Sequence, residues 1–164
     1  MISSGYYSHA FFHIALIISR LYQLIFGIVP RNMPSQDVAR TDSGGDQHPN
    51  AVVEYARGIY SAEQDFIVMG DLNADGSYFD EDGATTMRGE EYTWLITNDF
   101  DTTTKSTNAT YDRIIITGGA GTDYAGEAGV FLFDTAYGLN QTMTEDVSDH
   151  YPVYAVFWTG RDRN

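Results

Sequence analysis

The chain contains no cysteine, a single lysine (Lys105) and only four prolines. The missing cysteine removes disulfides, thiolate nucleophiles and cysteine-ligated zinc together. Positive charge is also scarce. Nine basic residues face 23 acidic ones, for a formal charge of −14. A polyanion binder is ordinarily basic, so tight non-specific nucleic-acid binding is not expected. Nuclease chemistry, which a metal and a local arginine can support, stays open. An acidic, lysine-poor surface suits strong brine, where the Debye length falls to ~3 Å at 1 M salt and self-repulsion is screened. A salt-loving source is therefore an expectation. It is checked by asking whether the purified protein is fully folded without added salt. No internal repeat is present.

A length of 164 residues and a hydrophobic content of 43% suit one domain with a real core. Residues 10–29 form an apolar stretch interrupted by His13, Arg20 and Gln23, and no basic residue precedes it. About 20 apolar residues would span a bilayer, so a membrane anchor or signal is one reading. A buried helix or strand, or a tail outside the fold, is the blander one. Localisation is open, with a secreted or cell-surface setting favoured. Residues 30–47, rich in Pro, Ser, Asp and Gly, read as a linker. The chain thus divides into an atypical apolar segment and linker (1–47), a domain portion (48–158) and a polar tail (159–164).

Within the domain portion, Pro49 to Ser61 reads as a helix, with Pro49 at its first position and Val52, Tyr55, Ala56 and Ile59 on one face. Strands are expected at Phe66–Met69, Trp94–Ile96, Arg113–Ile116, Val130–Phe133 and Val153–Phe157. Pro152 stands just before the last strand, where it is tolerated.

Three polar clusters lie at strand ends. They are Gly70-Asp71-Leu72-Asn73-Ala74-Asp75, Tyr111-Asp112 and Ser148-Asp149-His150-Tyr151. Strand ends aim side chains from a rigid scaffold. Carboxylates, an amide and a histidine converging there suit a hard cation, since magnesium is held by one or two carboxylates plus phosphate and water. Taken singly, each cluster also reads as an ordinary turn or surface pair. Together they point to a site. The stretch from Asp71 to Asp82 also fits the start of an EF-hand calcium loop. Phe79 at its ninth position, Asp82 instead of glutamate at its twelfth, and the short β-branched segment before it all count against that reading.

On these motifs the sequence resembles the deoxyribonuclease I branch of the endonuclease/exonuclease/phosphatase superfamily. The matching segments are Met69 to Asp75, Trp94-Leu95-Ile96, Asp101 to Asn108 leading into Tyr111-Asp112-Arg113-Ile114, Ala136 to Leu139, and Ser148 to Val153. Gly-Asp-x-Asn and Ser-Asp-His are shared across the superfamily. The threonine-rich run before Tyr-Asp-Arg-Ile is narrower and points to this branch. The resemblance covers residues 50–158 in unbroken order. It implies an α/β (α+β) fold, part of a four-layer αββα sandwich with its front half missing. It also implies phosphodiester hydrolysis with Mg²⁺ (or Mn²⁺), DNA being the substrate.

The same resemblance implies roles for single residues. Asp71 binds the metal or orients the attacking water. Asn73 and Tyr111 hold phosphate oxygens. Asp112 pairs with His150 and fixes its tautomer. Asp149 lies beside the metal, and His150 acts as acid or base or stabilises the transition state. Asp101, Thr103 and Thr107 match a structural Ca²⁺ site, with Lys105 standing where an oxygen donor belongs. Gly76 and Ala109 occupy the places of a family disulfide, so neither partner thiol is present.

The family's first strands, with a metal-binding glutamate, have no counterpart in residues 1–47. Its other catalytic histidine precedes the helix at Pro49. His48 is near that place but out of register and reads better as a helix-start residue. If Leu24 to Ile28 is the corresponding strand, Val29 stands in the histidine's place. Three functions follow. The first is a deoxyribonuclease, whose activity truncation would impair. The second is an inactive fragment that binds metal or phosphate without turnover, and that self-associates through an exposed sheet face or pairs with a missing N-terminal half. The third is a phosphatase or phospholipid phosphodiesterase of the same superfamily.

Overall fold

The structure, a computed structural model, describes residues 11–13, 47–76, 79–80, 83 and 85–158. The readings of residues 14–46, of Asp82 and of the 159–164 tail lie outside the described residues. So do most of the 10–29 stretch and the alternative at Val29. Part of that stretch is described. Phe11–His13 form a short strand, β1, antiparallel to the last strand of the chain. Among the described residues no helix is long and apolar enough to cross a membrane.

After β1 come α1 (Gln47–Ile59), β2 (Ile67–Asp71), β3 (Tyr92–Trp94), β4 (Asp112–Thr117), α2 (Gly118–Asp123) and β5 (Tyr124–Val130). The short helices α3 (Phe133–Tyr137) and α4 (Gln141–Val147) then lead to β6 (Val153–Trp158). The strands form two three-stranded antiparallel sheets, in the orders β2-β4-β3 and β1-β6-β5. The mixed α+β class is as expected.

Side-chain alternation along each strand explains the layering. Met69, Ile114 and Ile116 from one sheet meet Val153 and Ala155 from the other, with Ala128, Val130 and Phe157 packed around them. On the opposite face of β4, Ile115 joins Phe66, Met87 and Tyr92 beneath Val53 and Ala56 of α1. The order among the described residues is therefore helix, sheet, sheet. β4 is the middle strand of its sheet, and all six of its residues are buried. Its run of β-branched residues suits a strand covered on both faces.

Several sequence expectations need correction. The buried face of α1 is Val53 and Ala56. Tyr55 and Ile59 are exposed at 44% and 47%. The small Ala56 lets the helix lie close on Phe66 and Ile115, so the larger side chains fall to its flanks. Pro49 is the third helical residue, still within the first turn, whose amides have no helical acceptor. The expected strand at Val130–Phe133 ends at Val130. The Phe131 amide donates to Pro152 O as the last rung, and Phe133 folds back to donate to Phe131 O and begin α3. Phe133 is buried against the Tyr151 ring, while Phe131 and Leu132 stay exposed. The strand expected at Trp94–Ile96 instead spans Tyr92–Trp94, and Leu95 and Ile96 lie beyond its end. β2, a strand where an EF-hand would need a helix, removes the calcium-loop reading of Asp71 onward.

Candidate functional site

The β2–β4 register sets Asp71 directly opposite Asp112. Both lie on the face that looks toward the second sheet, in line with Met69 and Ile114. Like charges directly opposite on adjacent strands repel, so this end of the sheet calls for a positive group. A histidine that becomes positive on protonation comes from the loop before β6. The His150 Nδ1–H donates to Asp112 Oδ2 at 2.6 Å, a contact that joins the two sheets. The Asp112 side chain is 2% exposed and that of His150 17%. With Nδ1 bound to the carboxylate, Nε2 is the ring nitrogen left to face a ligand.

The titration properties follow from this crowding. Burial raises the Asp71 pKa most, opposed by the hydrogen bond from Asn73 N–H and reinforced by repulsion from Asp112 and Asp149. Burial pulls the His150 pKa down. The hydrogen bond to Asp112 and the charges of Asp112, Asp71 and Asp149 more than offset that, and the net shift is upward.

The loop after β2 is tightly built. Asp71 Oδ1 accepts from the Asn73 amide at 3.0 Å, and Leu72 N–H donates to Tyr111 O at 3.0 Å. Asn73 has φ 47°, and among the described residues no other non-glycine residue has positive φ. Asparagine tolerates that region better than most, and such conformations concentrate at functional sites. The fully buried Arg113 guanidinium donates to Ala74 O (2.6 Å) and Ile96 O (3.2 Å), fixing the loop from behind. Tyr111 lies against His150 with ring centroids 5.8 Å apart. Asp71, Asn73, Tyr111, Asp112, Asp149 and His150 thus gather at one end of the two sheets. Where the family has its disulfide, Asp75 joins the two loops without sulfur. Its carboxylate accepts from Thr110 N–H at 2.5 Å and from Gly76 N–H.

Among the described residues no three His, Asp or Glu side chains form a ready-made metal cluster. The donors present are oxygen-rich. Asp71 and Asp149 stand within each other's field, while Asp112 is committed to His150. That set fits a cation held by one or two carboxylates with water and phosphate completing its shell. It does not fit a cation enclosed by protein alone. Lys105 Nζ lies 3.8 Å from Asp149 Oδ2, and both side chains are partly exposed, so that pair is weak.

The residues matched to a calcium site are engaged otherwise. Asp101 Oδ1 accepts from Thr103 N–H (3.0 Å) and Ala109 N–H (3.3 Å), closing the loop on itself. Thr103 Oγ1 donates to Asp149 O and accepts from Lys105 N–H. Thr107 is exposed. His48 falls in the first turn of α1, and its side chain is outside the described residues.

The sequence does not mark Arg113, Thr102 or Thr104 as parts of this site. Arg113 lay in an expected strand, and a charged residue in an apolar strand is itself a signal of a buried partner. The two threonines sit in a polar run whose composition reads as exposed loop. Both are in fact buried, at 0% and 3%.

No family model matches the chain. It is similar to Deoxyribonuclease-1 from Oryctolagus cuniculus, 37% identical over 134 residues, covering 78% of this chain and 46% of that protein. It is also similar to Deoxyribonuclease-1 from Ovis aries, 37% identical over 134 residues (78% and 49%). For Deoxyribonuclease-1 from Bos taurus the identity is 42% over 94 residues (54% and 33%). The chain spans less than half the length of these curated relatives.

Proposed function

From a chain that is related to the deoxyribonuclease I family and matches its C-terminal part, we infer a deoxyribonuclease-type phosphodiesterase that uses a divalent metal. The carrying observation is the convergence of Asp71, Asp112 and His150, from two sheets, at one strand end. Asp71 and Asp149 would hold Mg²⁺ or Mn²⁺, which when bound supplies positive charge to a phosphate and lowers the pKa of water.

The chain's own groups have separable tasks. Asp112 holds the His150 ring in one tautomer and orientation, and its charge helps the ring keep a proton. His150 Nε2 presents that proton to a phosphate oxygen or leaving group, where positioned charge and proton transfer lower the barrier. Asn73, held by its backbone turn, offers amide N–H to a phosphate oxygen, and Tyr111 offers its hydroxyl. Phosphoryl transfer asks mostly for positioning and charge stabilisation, and these groups supply both. DNA is the substrate class, supported by the relatives' names. Weak binding is expected from the charge of −14.

Residues 48–158 form the catalytic portion in this reading, and a secreted or cell-surface setting goes with it. A structural Ca²⁺ on Asp101, Thr103 and Thr107 would compete with the hydrogen bonds that Asp101 and Thr103 already make. The inactive-fragment reading is favoured by one observation, that Asp112 is committed to His150, which leaves Asp71 and Asp149 as the carboxylates for a cation. A plasmid-nicking assay in Mg²⁺ separates the two. Nicking by the wild-type chain that is lost in Asp71→Ala supports the enzyme. Equal nicking by wild type and variant refutes the assignment, and no nicking by either favours the inactive fragment.

A further inference from the structure

The Asp112–His150 contact joins residues 38 positions apart, yet both flanking segments are gripped by the same three residues. Thr102 Oγ1 accepts from Tyr111 N–H at 3.0 Å and from Asp112 N–H at 3.2 Å, and donates to Ala109 O at 3.4 Å. Thr102 O accepts from Tyr151 N–H at 2.8 Å. On the His150 side, Thr104 N–H and Thr103 Oγ1 both donate to Asp149 O, and Thr104 Oγ1 donates to Ser148 O at 2.8 Å. Thr103 also bridges His150 in a short antiparallel pairing. Gln141 Nε2 caps the arrangement by donating to Thr104 O at 2.7 Å.

All three threonines are buried. A threonine hydroxyl offers one donor and two acceptor positions, and Thr102 uses all three. Those contacts fix the backbone of Asp112 from one side while the neighbouring threonines fix the backbone around His150 from the other. A side chain whose only duty was to fill space would not need the hydroxyl. Valine has nearly the same shape.

We propose that Thr102 is a positioning residue, and that Thr102, Thr103 and Thr104 form a clamp setting the distance between Asp112 and His150. The catalytic consequence rests on the phosphodiesterase reading; the geometric one does not. Removing the Thr102 hydroxyl leaves a buried amide and a part-buried one without their acceptor, and the Asp112 backbone shifts to find another. A displacement near 1 Å at a catalytic group lowers rate by about 100-fold.

The experiment compares wild type, Thr102→Val and Thr102→Ser by two measurements. The first is the downfield proton resonance of the hydrogen bond between His150 Nδ1 and Asp112, recorded in EDTA at low temperature. The second is nicking kinetics in Mg²⁺. Wild type and Thr102→Ser should show the resonance, and Thr102→Val should lose or broaden it while its near-UV circular dichroism stays native. For nicking, kcat should fall about 10- to 100-fold in Thr102→Val with KM nearly unchanged, and serine should restore it. If Thr102→Val fails to fold, Thr104→Val is read by the same two signals. A folded valine variant that keeps both resonance and kcat overturns the proposal, as does a wild type without the resonance. A wild type that shows the resonance, loses it in Thr102→Val and never nicks DNA supports the clamp and overturns only the catalytic reading.

Discussion

Strand β4 ends in a buried polar side chain at both of its termini, Thr117 and Asp112, which are 2% and 1% exposed. At the Thr117 end a neutral hydroxyl accepts from Phe66 N–H (2.9 Å) and donates to Gln64 O (2.7 Å), so its partners are backbone groups of one nearby segment. At the Asp112 end a charge faces another carboxylate across the register and is relieved by a histidine from the other sheet. At one end the strand's own side chain is a neutral hydroxyl whose hydrogen bonds close on nearby backbone groups. The other keeps unbalanced charge beside a partly exposed ring. Burial of polar groups does not by itself mark a site. Charge assembled from distant segments, with capacity left for a ligand, does.

The largest expected difference between the ends is in rate. His150→Ala should lower nicking by about 10²- to 10⁴-fold, the usual contribution of positioned acid–base catalysis. Thr117→Val should leave the rate per folded molecule unchanged. Comparable losses in both, measured against active protein concentration, would erase the distinction.

Changes at the Thr117 end should show in stability and not in rate. Behind the Thr117 end, Gly119 packs against the chain so closely that an added Cβ would lie 2.6 Å from Asp65 Oδ1. Gly119→Ala should cost up to about 3 kcal/mol in urea unfolding, as overpacking does. Thr117→Val should cost about 2 kcal/mol, because Phe66 N–H and Gln64 O lose their partner. Neither change should alter the response to Mg²⁺.

The smallest effect is the pH dependence of the Asp112 end. His150 has a folded-state pKa above its ordinary 6.5, so its contribution to stability is fully present below about pH 6.5 and is lost as pH rises through the folded value. Asp71 has a pKa raised above 3.8. Its ionisation therefore opposes folding as pH rises above that value. In EDTA, stability falls as pH rises, with Asp71 contributing from about 3.8 upward and His150 from about 6.5 upward, and added Mg²⁺ should recover part of the loss. Thermal melts across that range, compared with His150→Ala, check the sign. A variant with the same slope would remove His150 from the explanation.

Much of this contrast was legible in the sequence, for identifiable reasons. β2, β4 and β6 announce themselves as apolar runs rich in β-branched or aromatic residues, and the polar residues abutting them mark the site end. The Thr117 end was not legible. α2 is built from Gly118-Gly119-Ala120-Gly121-Thr122-Asp123, which reads as loop because glycine disfavours helix. Close approach to Gln64 and Asp65, a tertiary fact, decides it. β5 carries Gly126 and Gly129 and was missed likewise; Gly129 lies against the Tyr154 side chain of β6. Val130–Phe133 looked like a strand because apolar runs do not say where pairing stops. The burial of Thr102, Thr103 and Thr104 depends on two segments closing over them, which composition does not reveal.

The most direct test of the central claim uses Mn²⁺ as a paramagnetic probe in place of Mg²⁺, read on backbone amide resonances. At sub-stoichiometric Mn²⁺, amides around Asp71, Asn73, Asp112 and Asp149 should broaden first, and those around Thr117 and Gly119 should stay sharp. Uniform broadening across the acidic surface, or a first response confined to Asp101–Thr107, would contradict a cation site at the Asp112 end of β4.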